Sequence, residues 1–165
     1  MLLSLLLFSL PLLSSAADSP ASNGTTIYEL LPMFGLPPGL LPDTVRSFSL
    51  SRNGRFQVEL ESPCYVDFEY LVYYDTNITG VIKYGGIDEL KGIQVRRFLL
   101  WFDVDAIKVD LPPSDYIYFE VGWITKKLRV DQFQTVHSCY KEKLSDRIVQ
   151  VKRKGFNMLE SLGFL

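Results

Sequence analysis

His137 is the only histidine in the chain, so any imidazole base or Ser-His-Asp triad would have to be built around it. A histidine-rich zinc site is excluded for the same reason. No G-x-S-x-G elbow, P-loop or G-x-G-x-x-G segment is present. His137 stands two residues before Cys139, where a surface or hydrogen-bonded role is the plainer reading. Two carboxylate pairs, Asp67 with Glu69 and Asp103 with Asp105, have the i, i+2 spacing that puts both groups on one side of a strand. Acid–base or calcium chemistry needs such pairs, but a solvated strand face produces them as readily. No catalytic residue, metal ligand or cofactor is assigned.

Apolar and aromatic side chains are numerous, and a plain filled core is the favoured reading of them. Phe68, Tyr70, Val72, Phe98, Leu100 and Tyr118 are the candidate ligand-lining set, with Phe102, Tyr116 and Trp123 beside them. In a small barrel, inward side chains either fill the space or leave a ligand cavity. A cavity of a few hundred cubic ångströms would mark the second case.

The elements that carry these residues read as mostly β. Thr26 and Glu29 have the spacing of a capping box, which predicts a short helix to about Phe34, with Pro32 inside it and Gly35 as its stop. The proline-rich stretch over residues 36–42 reads as a rigid connector. Phe48 and Leu50 alternate with serines, Phe56, Val58 and Leu60 alternate with polar residues, and Asn53-Gly54 between them predicts a type I′ hairpin. Residues 64–74 read as one long strand, residues 75–79 as a turn and residues 80–84 as the returning strand. Gly85-Gly86 and Lys91-Gly92 bracket a tight excursion. Residues 93–104, apolar around Phe98-Leu99-Leu100-Trp101-Phe102, read as a single strand buried on both faces. Residues 107–109, 116–121 and 124–130 complete an antiparallel barrel or sandwich of about 8–10 strands.

Both ends carry other signals. Residues 2–13 are an uncharged apolar run, too short to span a bilayer, and Ser15-Ala16-Ala17 is a small-residue cleavage site. The expected organisation is a signal peptide over residues 1–17, a flexible leader over 18–25, a β-barrel-like domain over 26–140 and an amphipathic tail over 141–165. The chain is thus expected to be secreted or endomembrane, extracellular or cell-wall bound. Asn23 and Asn77 open N-glycosylation sequons. Cys64 and Cys139 are the only cysteines, and in an oxidising compartment they read as one disulfide worth ~4 kcal/mol by loop closure. In the tail, Leu144, Ile148, Val151, Met158, Leu159 and Leu162 fall near a 3.6-residue period beside six Lys/Arg and three Asp/Glu. This is a candidate C-terminal amphipathic helix making weak contact with a membrane surface or docking on its own domain. A formal net charge of −2 argues against nucleic acid as a partner, and the protein is expected to be a monomer.

Several segments in order resemble a known family: Tyr28-Glu29-Leu30-Leu31, Gly35-Leu36-Pro37-Pro38-Gly39-Leu40-Leu41-Pro42, Cys64-Tyr65-Val66 and Ile78-Thr79-Gly80-Val81-Ile82. Gly86-Ile87-Asp88-Glu89-Leu90-Lys91-Gly92-Ile93, Trp101-Phe102, Phe119-Glu120-Val121-Gly122 and Cys139 continue the series. Over residues 27–139 the chain resembles the plant family catalogued as domain of unknown function 538. The resemblance implies a barrel-like fold compared with the lipid-binding domains of bactericidal/permeability-increasing proteins. It also implies roles in stress response and development, and a hydrolytic activity towards chlorophyll without an agreed catalytic motif. Pro32 and the tail beyond Cys139 depart from the family pattern.

Three functions follow in order: a module binding a lipid or other apolar small ligand; an interaction protein of the cell wall or secretory pathway; and an esterase-like hydrolase resting on His137.

Overall fold

The computed structural model describes residues 24–140. The expected signal peptide, most of the expected leader, Asn23 and the candidate tail helix lie outside the described residues. The chain opens with helix α1 (Ile27–Met33), held at its start by the capping box: Glu29 N donates to Thr26 Oγ1 and Thr26 N donates to Glu29 Oε2 at 2.8 Å. A 3₁₀ turn over Pro38–Leu40 follows. Nine strands come next: β1 (Val45–Leu50), β2 (Arg55–Leu60), β3 (Cys64–Asp67), β4 (Leu71–Lys83), β5 (Gly86–Arg97), β6 (Leu100–Asp103), β7 (Ala106–Val109), β8 (Tyr116–Val121) and β9 (Ile124–Arg129). A second 3₁₀ turn covers Val130–Phe133. Among the described residues no helix is long and apolar enough to cross a membrane.

All pairings are antiparallel, in the order β1-β2-β4-β5-β7-β8-β9, with β3 added to β4 and β6 added to β5. Among the described strands no ladder joins β1 to β9, so the sheet is open and not a closed barrel.

Several boundaries differ from the sequence expectation, each for a physical reason. Residues 64–74 form two strands, because Phe68 N bonds to Tyr70 O and reverses the chain. Residues 75–79, polar except for Ile78, do not turn. They lie inside the 13-residue β4, Asn77 opposite Glu59 of β2; Asp75 and Asn77 are on the exposed side of a bulged strand, while Ile78 between Asn77 and Thr79 points into the core. Gly85 belongs to the β4–β5 turn, and residues 86–92 are continuous strand, not an excursion. Residues 93–104 are a hairpin, with Arg97 paired to Leu100 and Phe98-Leu99 at its exposed tip. The β1–β2 hairpin stands, but its loop is longer than a two-residue type I′ turn. Ser51 N bonds Arg55 O across Arg52-Asn53-Gly54, and only Gly54, at φ 84°, takes the left-handed conformation.

The strand that organises the molecule is β5. Gly86 and Ile87 pair with β7, whereas Gln94 to Arg97 pair with β6. The ladder therefore forks. At the fork Val104 N bonds Ile93 O, while Asp105 N reaches across to Glu120 O of β8.

Helix α1 and the first 3₁₀ turn plug one half of the inner face. Ile27, Leu31 and Leu41 pack there with Ile78, Ile82 and Leu90, all buried, and leave a residual void of only about 20 Å³. The plug is tied to the end of the chain. A Cβ on Gly39 would lie 2.0 Å from Thr135 O and 2.5 Å from Phe133 O, so this backbone approach requires glycine. Asp43 N bonds His137 O, Cys139 N bonds Asp43 Oδ1 at 3.0 Å, and the Cys64–Cys139 disulfide closes the same corner.

Candidate functional site

Beyond the fork the inner face has no plug, and a cavity of about 320 Å³ opens between the two wings of the sheet. Alternation along each strand supplies its walls. Val72 and Tyr74 come from β4, Ile93 and Val95 from β5, and Phe102 from β6; Phe119 and Val121 of β8 face Lys126 and Leu128 of β9. Phe133 closes one end, stacked against Phe68 at 4.8 Å and Phe119 at 5.2 Å between ring centroids. Leu40, Ile93 and Ile107 touch both this cavity and the packed half, so they form the partition.

The polar groups here are few and mostly occupied. Tyr74, fully buried, donates its hydroxyl to Leu40 O at 3.0 Å. Burial pushes its phenol well above the usual range, which keeps it a neutral donor. Asp105 accepts from Gly122 N at 2.8 Å and pins the β8–β9 turn; Asp103 accepts from Gln94 Nε2 at 2.8 Å. This carboxylate pair is thus committed to structure. Lys126 Nζ stands 5.3 Å from the Tyr70 ring centroid, and the Arg97 guanidinium 5.5 Å from that of Phe98. Among the described residues no three His, Cys, Asp or Glu side chains come together as metal ligands.

Of the candidate ligand-lining residues, Phe68, Tyr70 and Val72 line the cavity. Phe98 and Leu100 lie outside the lining at the exposed β5–β6 tip, because the turn breaks the strand that would have carried them inward. Tyr118 lies on the other side of β8, its hydroxyl donating to Asp110 at 3.2 Å. Phe119 takes the inward place. The signal was available: Ile117, Phe119 and Val121 alternate with Tyr116, Tyr118 and Glu120. Ile93, Val95, Leu128 and Phe133 join the lining without having been singled out.

His137 is placed by contacts of another kind. Its Nε2 meets Gln132 O at 2.8 Å and its ring stands edge-on to Phe68 at 4.8 Å. Among the described residues no hydroxyl or thiol hydrogen-bonds to it. Asn77 is exposed on β4. On the opposite face of the sheet, Tyr65, Tyr73, Trp101 and Tyr140 form an aromatic cluster, with Tyr65 5.2 Å from Tyr73 and 5.8 Å from Trp101.

An open antiparallel sheet, plugged on one half of its inner face and hollow on the other, defines a β protein with a single-sided apolar cavity. The chain belongs to the family described as "Protein of unknown function, DUF538", whose profile matches residues 27–134 and so covers α1 and all nine strands. Among curated proteins and among solved structures, nothing matches the chain.

Proposed function

We propose that the protein holds a lipid or other apolar small molecule in this cavity, and does so in the secretory pathway or outside the cell. The observation that carries the reading is the cavity itself: about 320 Å³ walled by aliphatic and aromatic side chains, beside a half that packs to a 20 Å³ void. Natural interiors rarely leave such space, and ligand sites begin at about this size. Burial would drive binding, at ~25 cal/mol per Å² of apolar area removed from water. Lys126 and Arg97 are the cationic members of the lining and suit a ligand with an anionic end. The apolar run over residues 2–13, the cleavage site and the Cys64–Cys139 bridge support the compartment, and the exposed Asn77 supports glycosylation there.

The test is a native mass spectrum of protein from a eukaryotic secretory host, compared with its denatured mass, followed by titration with N-phenyl-1-naphthylamine. Extra mass that extracts as lipid, or saturable probe fluorescence at one site, supports the reading. Equal masses together with no probe uptake would overturn it.

A further inference from the structure

We infer that the protein docks on an anionic lipid surface through the two hairpin tips that bound the cavity mouth. The inference goes beyond cavity binding and does not need a particular ligand inside.

Both tips are two-residue turns. Arg97 pairs with Leu100 around Phe98-Leu99, and Val121 pairs with Ile124 around Gly122-Trp123. Each has a positive φ at its first central position, 56° at Phe98 and 59° at Gly122, as in a type II′ turn. Glycine is the residue of least strain there, and an aromatic one is costly. At Phe98 the chain nevertheless carries a phenylalanine that stays outside the core, its ring met by the Arg97 guanidinium at 5.5 Å. Phe98 is 86 % exposed, Leu99 82 % and Trp123 95 %, with Leu100 and Ile124 exposed beside them. The β1–β2 hairpin shows the ordinary arrangement, with Arg52, Asn53 and Gly54 at its tip. Among the described residues Phe98 is the one exposed large apolar side chain on a non-glycine residue of positive φ. Arg97, Phe102, Trp123 and Ile124 all line the cavity, so the two tips share one rim.

Charge decides the kind of partner. The protein as a whole carries −2, yet the cations that line the mouth are Arg97 and Lys126, each over an aromatic ring. The acids of this region, Asp103 and Asp105, are held by Gln94 and by the Gly122 amide. Exposed Trp, Phe and Leu flanked by Lys and Arg match the headgroup–acyl boundary of an anionic bilayer, where apolar tips insert and cations meet phosphate and carboxylate. Two narrow tips suit insertion between lipids better than a broad protein face.

The test uses protein from a eukaryotic secretory host carrying Trp101→Phe, which leaves Trp123 as the sole tryptophan. Phosphatidylcholine vesicles containing phosphatidylserine should shift Trp123 emission to shorter wavelength and float the protein, and added salt should weaken both. Phe98→Gly with Leu99→Asn supplies better turn residues, so its melting temperature should hold or rise while vesicle partitioning falls about tenfold or more. Flotation with unmoved Trp123 emission would assign the contact to another part of the chain and overturn the inference. So would absence of flotation together with a dimer that Trp123→Ser disperses, which would make a second copy the occupant of the rim.

Discussion

The two halves of the inner face start from the same kind of strands and end differently. Around Ile78, Ile82 and Leu90 the sheet receives α1, and what remains unfilled would hold at most one water. Around Val95, Phe119 and Leu128 the same alternation of apolar side chains receives no covering element and leaves about 320 Å³. Hydrophobic content does not separate the halves. What separates them is the fork in β5, which swings β8 and β9 away from β6, and the position of one seven-residue helix. A cavity can therefore arise from topology, with no change in residue type.

The largest expected effect comes from detaching the plug. Gly39→Ala would drive a Cβ into the carbonyls of Thr135 and Phe133, and backbone cannot yield as a side-chain tip can. Overpacking of this kind should cost about 3 kcal/mol, read as a lowered midpoint in urea unfolding.

The same substitution in each half then measures the contrast directly. Val58→Ala, at a fully buried site in the packed half, should cost about 2 kcal/mol. Val95→Ala, whose side chain already lacks neighbours on the cavity side, should cost less than about 1 kcal/mol. Equal costs would mean that the hollow half closes up in solution.

Filling should reverse the order. Val95→Phe is expected to leave the melting temperature unchanged or slightly raised while suppressing N-phenyl-1-naphthylamine uptake. Val58→Phe should lose 1–3 kcal/mol, roughly the usual penalty for overpacking.

The smallest effect concerns the cap that holds the plug in line. Thr26→Ala removes the side-chain acceptor for Glu29 N and should cost about 1 kcal/mol. Hydrogen bonds from Thr26 hold Glu29 below the usual carboxylate range. A depressed folded value means that this contribution is present at neutral pH and is lost as pH falls through that value. Glu29→Gln keeps an acceptor and should flatten that part of the acid-unfolding curve, a comparison made by circular dichroism from pH 6 to about pH 2.

Local signals were legible where chemistry and conformation agree. Thr26 and Glu29 announced α1, the alternation from Phe56 to Leu60 announced β2, and two lone cysteines announced their bridge. Legibility failed where the usual link between polarity and exposure is inverted. Phe98-Leu99 is a turn made of apolar residues, so the segment read as one buried strand. Residues 75–77 are polar yet lie within β4. The cavity was legible only as a set of apolar side chains that a filled core explains as well. Whether these fill or surround space depends on long-range pairing, such as Asp105 with Glu120, that no local pattern encodes.

The bridge that closes the corner beside the plug also sets a timetable. Cys64 and Cys139 are 75 residues apart, and every strand from β4 to β9 is synthesised between them. As the chain is delivered from its amino end, the first thiol waits without its partner until the last strand has emerged. During that interval it is open to exchange with any passing disulfide, and a chain stopped short of residue 139 keeps it so. Completion of the bond thus reports that the whole sheet has been delivered, and a free thiol marks a chain that is still unfinished.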